Sequence, residues 1–417
     1  MIQELDRDIF EKRTMVGGVI LALFYLLAQY LLPIMSYGFI LLLLYGVGVL
    51  FINRVFYINK PILIFIIAAI VQQSIIYLCS GTLAQNRNTY LFMFICAFLL
   101  GTLSQINKQD FFKAYYIVGL ITSIAVLIQF VMANCFGKLQ STIRILPVSE
   151  SDIHYWMQES NRVSGFFTEP QAYSGYIIPL LIYLLSKCEV KKALFFSFAI
   201  LASTSSQGII LMLICWIYYF FTYEKNNRKK LLIIAVGLIL VSAFSLTGVF
   251  QYTIEKIMSI NIFGYDIRLT KGFGIFFEMP IQDKILGIGK GNLREYLLNG
   301  NFNFFWMSLT KDVLFDYVTT MSDVLISYGM FVFPFYIFIF VYNIKNSSKD
   351  GKLFLLIIFI ASFTQTLLFN AWFVFYWSVY QIMDNQADKR YIFFSLEDTV
   401  CTLREKYAKR SRNNNNE

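Results

Sequence analysis

Histidine is almost missing. His154 is the only one in 417 residues, which excludes a multi-histidine metal centre. Charged residues make up only 15%, against roughly 25% in soluble domains, so a large soluble domain has no room. Acidic residues are scarce inside the apolar runs, where ion-coupled carriers usually place carboxylates. That disfavours a proton-driven carrier and leaves Asp316 and Asp323 as the acids available to one. No Walker sequence is present, which argues against ATP hydrolysis. The six cysteines, Cys79, Cys96, Cys135, Cys188, Cys215 and Cys401, mostly lie inside apolar runs and no pair has metal-ligand spacing. They read as small packing residues. No small-residue cleavage pattern follows the stretch Glu4 to Arg13, so the first apolar run reads as a retained anchor.

What is present in abundance is apolar sequence. Hydrophobic residues reach 57% and aromatic residues 18%, with 43 phenylalanines and 27 tyrosines. An apolar helix of about 20 residues crosses a hydrocarbon core about 30 Å thick. Spans are expected at about 15–33, 35–53, 61–80, 90–106, 113–135, 171–187, 193–206, 208–223, 231–250, 313–343 and 353–382. The last run carries a polar break at Gln365-Thr366 and fits either two short helices or one long tilted one. The fold class is therefore an all-α polytopic membrane protein with about twelve transmembrane helices.

The net charge of +9 could point to nucleic acid in a soluble protein. Here the cations sit in short loops and the tail, which is where Lys and Arg collect on the cytoplasmic side of membrane proteins. Arg7, Lys12 and Arg13 precede the first span, and Lys187, Lys191 and Lys192 form one basic loop. Lys225, Arg228, Lys229 and Lys230 form another, and Lys345, Lys349 and Lys352 a third. All of these, with both termini, face the cytoplasm together if 353–382 crosses twice. One membrane domain then covers 1–382, and residues 383–417 are a basic cytoplasmic tail expected to be disordered and solvated. The two long loops, about 137–170 and 251–312, face outward, since long loops translocate largely regardless of charge.

These loops hold the polar candidates. Arg162 precedes Gly165, Phe166, Glu169 and Pro170, with Pro170 the expected start of a helix whose positive end Glu169 faces. Arg268 and Lys271 precede Pro280 and then Gly287, Gly289 and Gly291. An arginine fork suits phosphate oxygens. A lone arginine equally suits an interfacial position or a pair with Glu169, and Gly287 to Gly291 equally suits a plain turn. His154 stands beside Tyr155 and Trp156, whose rings suit the faces of sugars, although a loop histidine is usually incidental.

Taken together, the segments resemble the bacterial O-antigen polymerase and O-antigen ligase superfamily. The resemblance rests on Arg162, Gly165, Phe166, Glu169 and Pro170 before a mid-chain span, then on Arg268, Pro280, Gly287, Gly289 and Gly291 in a large outer loop. The Ser-rich turn Thr204 to Gly208 and the segment Ser322-Asp323 with Gly329 are similar to family segments in the same order. Gln207 stands where the family often has a cation. No histidine follows the large loop, where Thr320-Met321-Ser322-Asp323 stands, and this favours the polymerase branch over the ligase.

The resemblance implies a membrane glycosyltransferase of the C class. Such an enzyme transfers glycan from undecaprenyl diphosphate to a lipid-linked repeat at the outer face of the bacterial cytoplasmic membrane, building O-antigen, capsule or exopolysaccharide. It implies no metal and no cofactor. Arg162 and Arg268 would clamp the diphosphate with Lys271 as a third cation. Gly287, Gly289, Gly291, His154 and Trp156 would contribute to binding, and the general base stays open between Glu169, Asp323 and His154. The implied partners are the lipid-linked oligosaccharide, membrane lipid, a chain-length regulator and a flippase. The alternatives are a ligase, or a carrier for the same lipid.

Overall fold

The structure is a computed structural model and describes residues 2–32, 35–53, 55–80, 83–137, 143–147, 163–228, 230–231, 233–235, 267–300, 317–384 and 391–395. It is mostly helical, as expected. In chain order the elements are α1 (Ile2–Leu27), α2 (Tyr37–Asn53), β1 (Val55–Asn59), α3 (Lys60–Ser80), α4 (Leu83–Leu103) and α5 (Lys108–Cys135). They continue with α6 (Pro170–Ser186), α7 (Val190–Ser203), α8 (Ser206–Thr222), α9 (Ile267–Glu278), α10 (Ile281–Leu286) and α11 (Leu293–Asn299). The last are α12 (Thr320–Asn346), α13 (Lys349–Ala361), α14 (Ala371–Met383) and β2 (Tyr391–Ser395).

Three of these helices, at Lys60–Cys79, Lys108–Cys135 and Thr320–Asn346, are long and apolar enough to cross a membrane. Shorter apolar helices occupy Met15–Leu27, Tyr37–Asn53, Asn88–Leu103 and Ser206–Thr222. Leu44, Phe51, Leu78, Ile128, Leu213 and Phe221 point outward, while Gln72, Gln73, Ser123, Gln129, Asn343 and Gln381 are buried. An apolar rind around polar interior contacts suits a lipid solvent, because a polar side chain facing hydrocarbon finds no partner there.

Contacts sort the helix ends into two groups. One end gathers the short basic loops. Lys108 Nζ donates to the Met383 carbonyl at 2.9 Å, Tyr218 donates to the Lys349 carbonyl at 3.1 Å, and Tyr223 bonds Asp350. Lys192 stands 4.9 Å from the Tyr116 ring centre, and Asn59 pairs with Asn343 at 2.9 Å. The opposite end gathers the described parts of the two long loops: Thr168 N bonds Gln29 at 2.8 Å, Gly165 N bonds Gln129 at 2.8 Å, and Lys290 N bonds Gln73 at 2.9 Å. Helices α1 to α8 and α12 to α14 alternate between these two ends.

The sequence reading needs refining at several places. The run 353–382 is two helices of 13 residues each, about 20 Å long apiece, joined by a turn at 362–370. They form a hairpin, because Asp384 after α14 accepts from Ser348 N at 2.9 Å and from Ser347 Oγ at 3.2 Å before α13. The span expected from 313 begins at Thr320, and the first apolar run belongs to a helix that starts at Ile2. The described part of the expected loop 251–312, residues 267–300, carries three helices, α9 to α11, where only loop was expected. The tail expected to be solvated contains β2, which pairs antiparallel with β1 (Val55 opposite Ser395, Asn59 opposite Tyr391). Tyr-Ile-Phe-Phe-Ser is apolar sequence within a basic tail, and pairing satisfies the backbone groups that face β1. The expected span 231–250 lies mostly outside the described residues.

Helix α12 is broken. Gly329 has φ 68° and ψ −177°, a backbone region essentially reserved for glycine. Met321 N donates to the Ser362 carbonyl at 2.9 Å, and Tyr336 OH lies 2.7 Å from Ser362 Oγ. In a straight helix residues 321 and 336 stand about 22 Å apart, beyond the reach of one tyrosine. Both touch Ser362 only because the helix folds at Gly329.

Candidate functional site

The break at Gly329 leaves carbonyls of the preceding half-helix without their usual partners four residues on. The glycine loop takes them up. Ile288 N donates to Ile326 O at 3.0 Å and Gly289 N to Ser327 O at 2.9 Å. The Gln72 side-chain amide bridges Leu286 O and Ser327 O. Gly287 and Gly329 meet backbone to backbone. A Cβ on Gly287 would lie 2.5 Å from Ser327 O, and one on Gly329 would lie 2.3 Å from Ile285 O. Gly287, Gly289 and Gly291 all have positive φ, at 78°, 84° and 93°. These glycines form a fitted joint rather than a loose turn.

The joint places charge. Lys290 Nζ pairs with Asp323 Oδ2, and Ser327 Oγ donates to the other carboxylate oxygen, Asp323 Oδ1, at 2.7 Å. Asp323 lies in the first turn of α12, where the helix dipole favours a negative charge. Asn292 Nδ2 holds Ile288 O at 2.8 Å. Outside the loop, Tyr296 of α11 donates to Asp283 Oδ2 of α10 at 2.6 Å and ties the two flanking helices together. Burial first, and then the Asp283 carboxylate, raise the Tyr296 phenol above its ordinary range, so it stays a protonated donor.

Helix α9 packs on the same half-helix. A Cβ on Gly272 would lie 2.1 Å from Ser322 Oγ, so the neighbouring Lys271, itself buried, stands beside the Asp323 segment. Arg268 lies in α9 one turn earlier, with its side chain outside the described part.

The first loop makes its own fitted joint. Gly165 has φ 63°, and a Cβ there would meet Thr122 O at 3.1 Å. Ser164 Oγ donates to Phe167 O at 2.7 Å, and Phe167 packs against the Tyr176 ring at 5.2 Å. Pro170 opens α6 as expected. Glu169 takes the cap position but makes no side-chain capping bond, and it is exposed. The Ser-rich turn lies against the start of α6: Gln171 bonds Gln207 at 2.6 Å and Ser174 bonds Ser205 at 2.9 Å. The turn itself falls where the sequence placed it, with Thr204 left-handed at the end of α7 and Ser205 capping α8.

The tip of the α13–α14 hairpin touches both regions. Thr320 N donates to Gln365 O at 2.9 Å and Leu367 N to Thr320 Oγ1 at 2.6 Å. On the other side, a Cβ on Gly175 of α6 would lie 2.6 Å from the Trp372 ring, and that ring stands 3.8 Å from Tyr25.

Gly287, Gly289, Gly291 and Asp323 are thus brought together, with Lys271 alongside. Glu169 belongs to the first loop. Arg162, His154 and Trp156 lie outside the described residues. Sequence reasoning passed over Lys290, Gln72, Gln73 and Ser327. A lysine between two glycines, and two adjacent glutamines inside an apolar run, were the available signals, since polar groups within a membrane segment are expensive. Among the described residues no group of three or more His, Cys, Asp or Glu could hold a metal ion. No protein-family model matches the chain, and no curated protein matches it either.

Proposed function

We propose that this chain is a polysaccharide polymerase of the O-antigen, capsule or exopolysaccharide type, and that it resembles the O-antigen polymerase and ligase superfamily. It would move a growing glycan from undecaprenyl diphosphate onto a hydroxyl of a second lipid-linked repeat. The observation that carries this reading is the joint between the glycine loop and the broken α12. It fixes Lys290 and Asp323 at the bundle end that also gathers the first loop, opposite the end that gathers the basic loops. A diphosphate leaves readily, so the reaction needs fixed positive charge more than a strong acid. Arg162, Arg268 and Lys271 would hold the diphosphate; Asp323 or Glu169 would take the acceptor proton. No metal or other cofactor is required in this scheme. A flippase and a chain-length regulator are the partner proteins it implies.

The orientation follows from the same separation. The basic end would face the cytoplasm with both termini, and the glycine-loop end would face outward from the bacterial cytoplasmic membrane, with the run 231–250 supplying the twelfth crossing. A cysteine introduced near residue 146 or 300 is expected to react with an impermeant thiol reagent from outside. One near 227 or 348 is expected to stay unlabelled until the membrane is opened. The reverse pattern would sink this orientation.

The activity itself is tested with purified protein and lipid-linked repeats in the presence of a chelator and without nucleotide. Chain extension is the expected result. Failure to extend, combined with movement of the lipid across liposomes, would transfer the function to a carrier. In cells, deletion should leave single lipid-linked repeats open to external glycosidase. Protected repeats would point to the carrier as well.

A further inference from the structure

Lys290 and Asp323 are unequally exposed. The aspartate side chain keeps 3% of its accessible surface and the lysine side chain 26%. The Lys290 ammonium caps Asp323 Oδ2, while Ser327 donates to Oδ1. The lysine backbone is fixed, because its N–H bonds Gln73 Oε1 at 2.9 Å and its glycine neighbours have the positive φ the joint requires. Its side chain, 26% exposed, is held by Asp323 alone among the described residues. Among the described residues, a Cβ on Gly291 would find no atom nearer than Thr89 Oγ1 at 4.0 Å.

We propose that the Lys290–Asp323 pair is a latch released by an organic diphosphate, and that it couples donor binding to exposure of the base. Resting on the polymerase reading, the proposal assigns Asp323 as that base and Lys290 as a diphosphate ligand. A diphosphate carries more charge than one carboxylate and competes for the ammonium. When Lys290 turns to it, Asp323 Oδ2 loses its cap and Ser327 keeps the carboxylate oriented. The acceptor hydroxyl oxygen then forms its bond to the anomeric carbon as its proton passes to Asp323 Oδ2. The bond from that carbon to the diphosphate oxygen breaks, and its electron pair leaves with the diphosphate, whose charge Lys290 neutralises. Without donor the base stays covered by the Lys290 ammonium.

The test measures binding of geranylgeranyl diphosphate to the full-length protein in detergent, alongside chain extension. Asp323→Asn removes the competitor for Lys290, so binding is expected to tighten about tenfold, a gain of about 1.4 kcal/mol, while extension is lost. Lys290→Gln is expected to weaken binding by about tenfold or more. A purely structural ion pair predicts otherwise: both variants would lose stability and neither would bind more tightly. If Asp323→Asn fails to fold, the double charge reversal Lys290→Asp, Asp323→Lys restores a pair of opposite charges in the same place. The latch predicts that the folded reversal binds weakly and extends nothing; wild-type binding by it would overturn the proposal, as would unchanged or weaker binding by a folded Asp323→Asn. Tighter binding by Asp323→Asn with no extension by the wild type would retain the latch and refute the polymerase.

Discussion

Gly329→Ala is expected to leave little folded protein, and Gly287→Ala to do nearly the same. At φ 68° and ψ −177° a side chain costs about 1–3 kcal/mol in backbone strain alone. The clash adds to this, because the new Cβ would sit 2.3 Å from Ile285 O and 2.5 Å from Gly287 N, both backbone atoms with no rotamer to yield. Shifting them breaks the bonds from Ile288 N and Gly289 N to the α12 carbonyls and strands buried polar groups, at about 1–3 kcal/mol each. The total is comparable with the whole stability of an ordinary domain. Gly291→Ala also has a positive φ, at 93°, but no atom of the described residues lies closer than 4.0 Å to the new methyl, so its loss should be confined to the strain. Detergent-solubilised thermal stability separates the three. Equal stability of Gly329→Ala and Gly291→Ala would show that the joint is not what holds α12 in its folded-over form.

Long-range contact explains what the sequence did and did not reveal. Apolar runs locate helices because lipid rewards an apolar surface locally, and the turn at Thr204 to Gly208 was readable because capping chemistry is local too. The break in α12 was not readable from Gly329 alone. A glycine inside an apolar run passes for a weak helix position, and its positive φ is imposed by Gly287, some forty residues earlier in the chain. The pairing of β2 with β1 joins the two ends of the sequence and leaves no local mark. Charge counting assigned 391–395 to a solvated tail, but the segment is apolar in sequence, its backbone pairs with β1 and Tyr391 is buried. Helices α9 to α11 were missed because a polar segment between spans looks like loop, although α9 places Lys271 and Gly272 directly against α12.

The candidate site divides in the same way. Gly287, Gly289, Gly291 and Asp323 were legible as types in an order. Gln72 and Gln73 were not, because the reason for two amides in the middle of α3 is a loop more than two hundred residues away. Lys290 was hidden by its setting: among many lysines in loops, only its partner sets it apart. That partner, Asp323, is buried, and a buried carboxylate without a cation would cost several kcal/mol.

Replacing Arg162 or Arg268 with Ala should leave the protein inserted while removing long glycan chains. Each guanidinium, if it grips the diphosphate as the leaving charge develops, contributes about 1.5–3 kcal/mol as a charge-assisted contact, which corresponds to roughly 10- to 100-fold in extension rate. A polymer lengthens by repeated transfers, so a loss of that size per step shifts a ladder of long chains to single repeats. Lysine at either position should restore only short chains, because a point charge cannot reproduce a planar two-pronged contact. The measurement is a gel ladder of the polysaccharide, with membrane content of each variant checked by immunoblot. Arg268 has the firmer structural frame. It precedes Lys271 by one turn of α9, and α9 is fixed to Ser322 through Gly272, so its loss should not disturb the joint. Thermal stability of Arg268→Ala should therefore match the wild type while extension falls. A normal ladder from the Arg162→Ala, Arg268→Ala double variant would remove the arginines from the mechanism and leave the diphosphate to Lys271 and Lys290 alone.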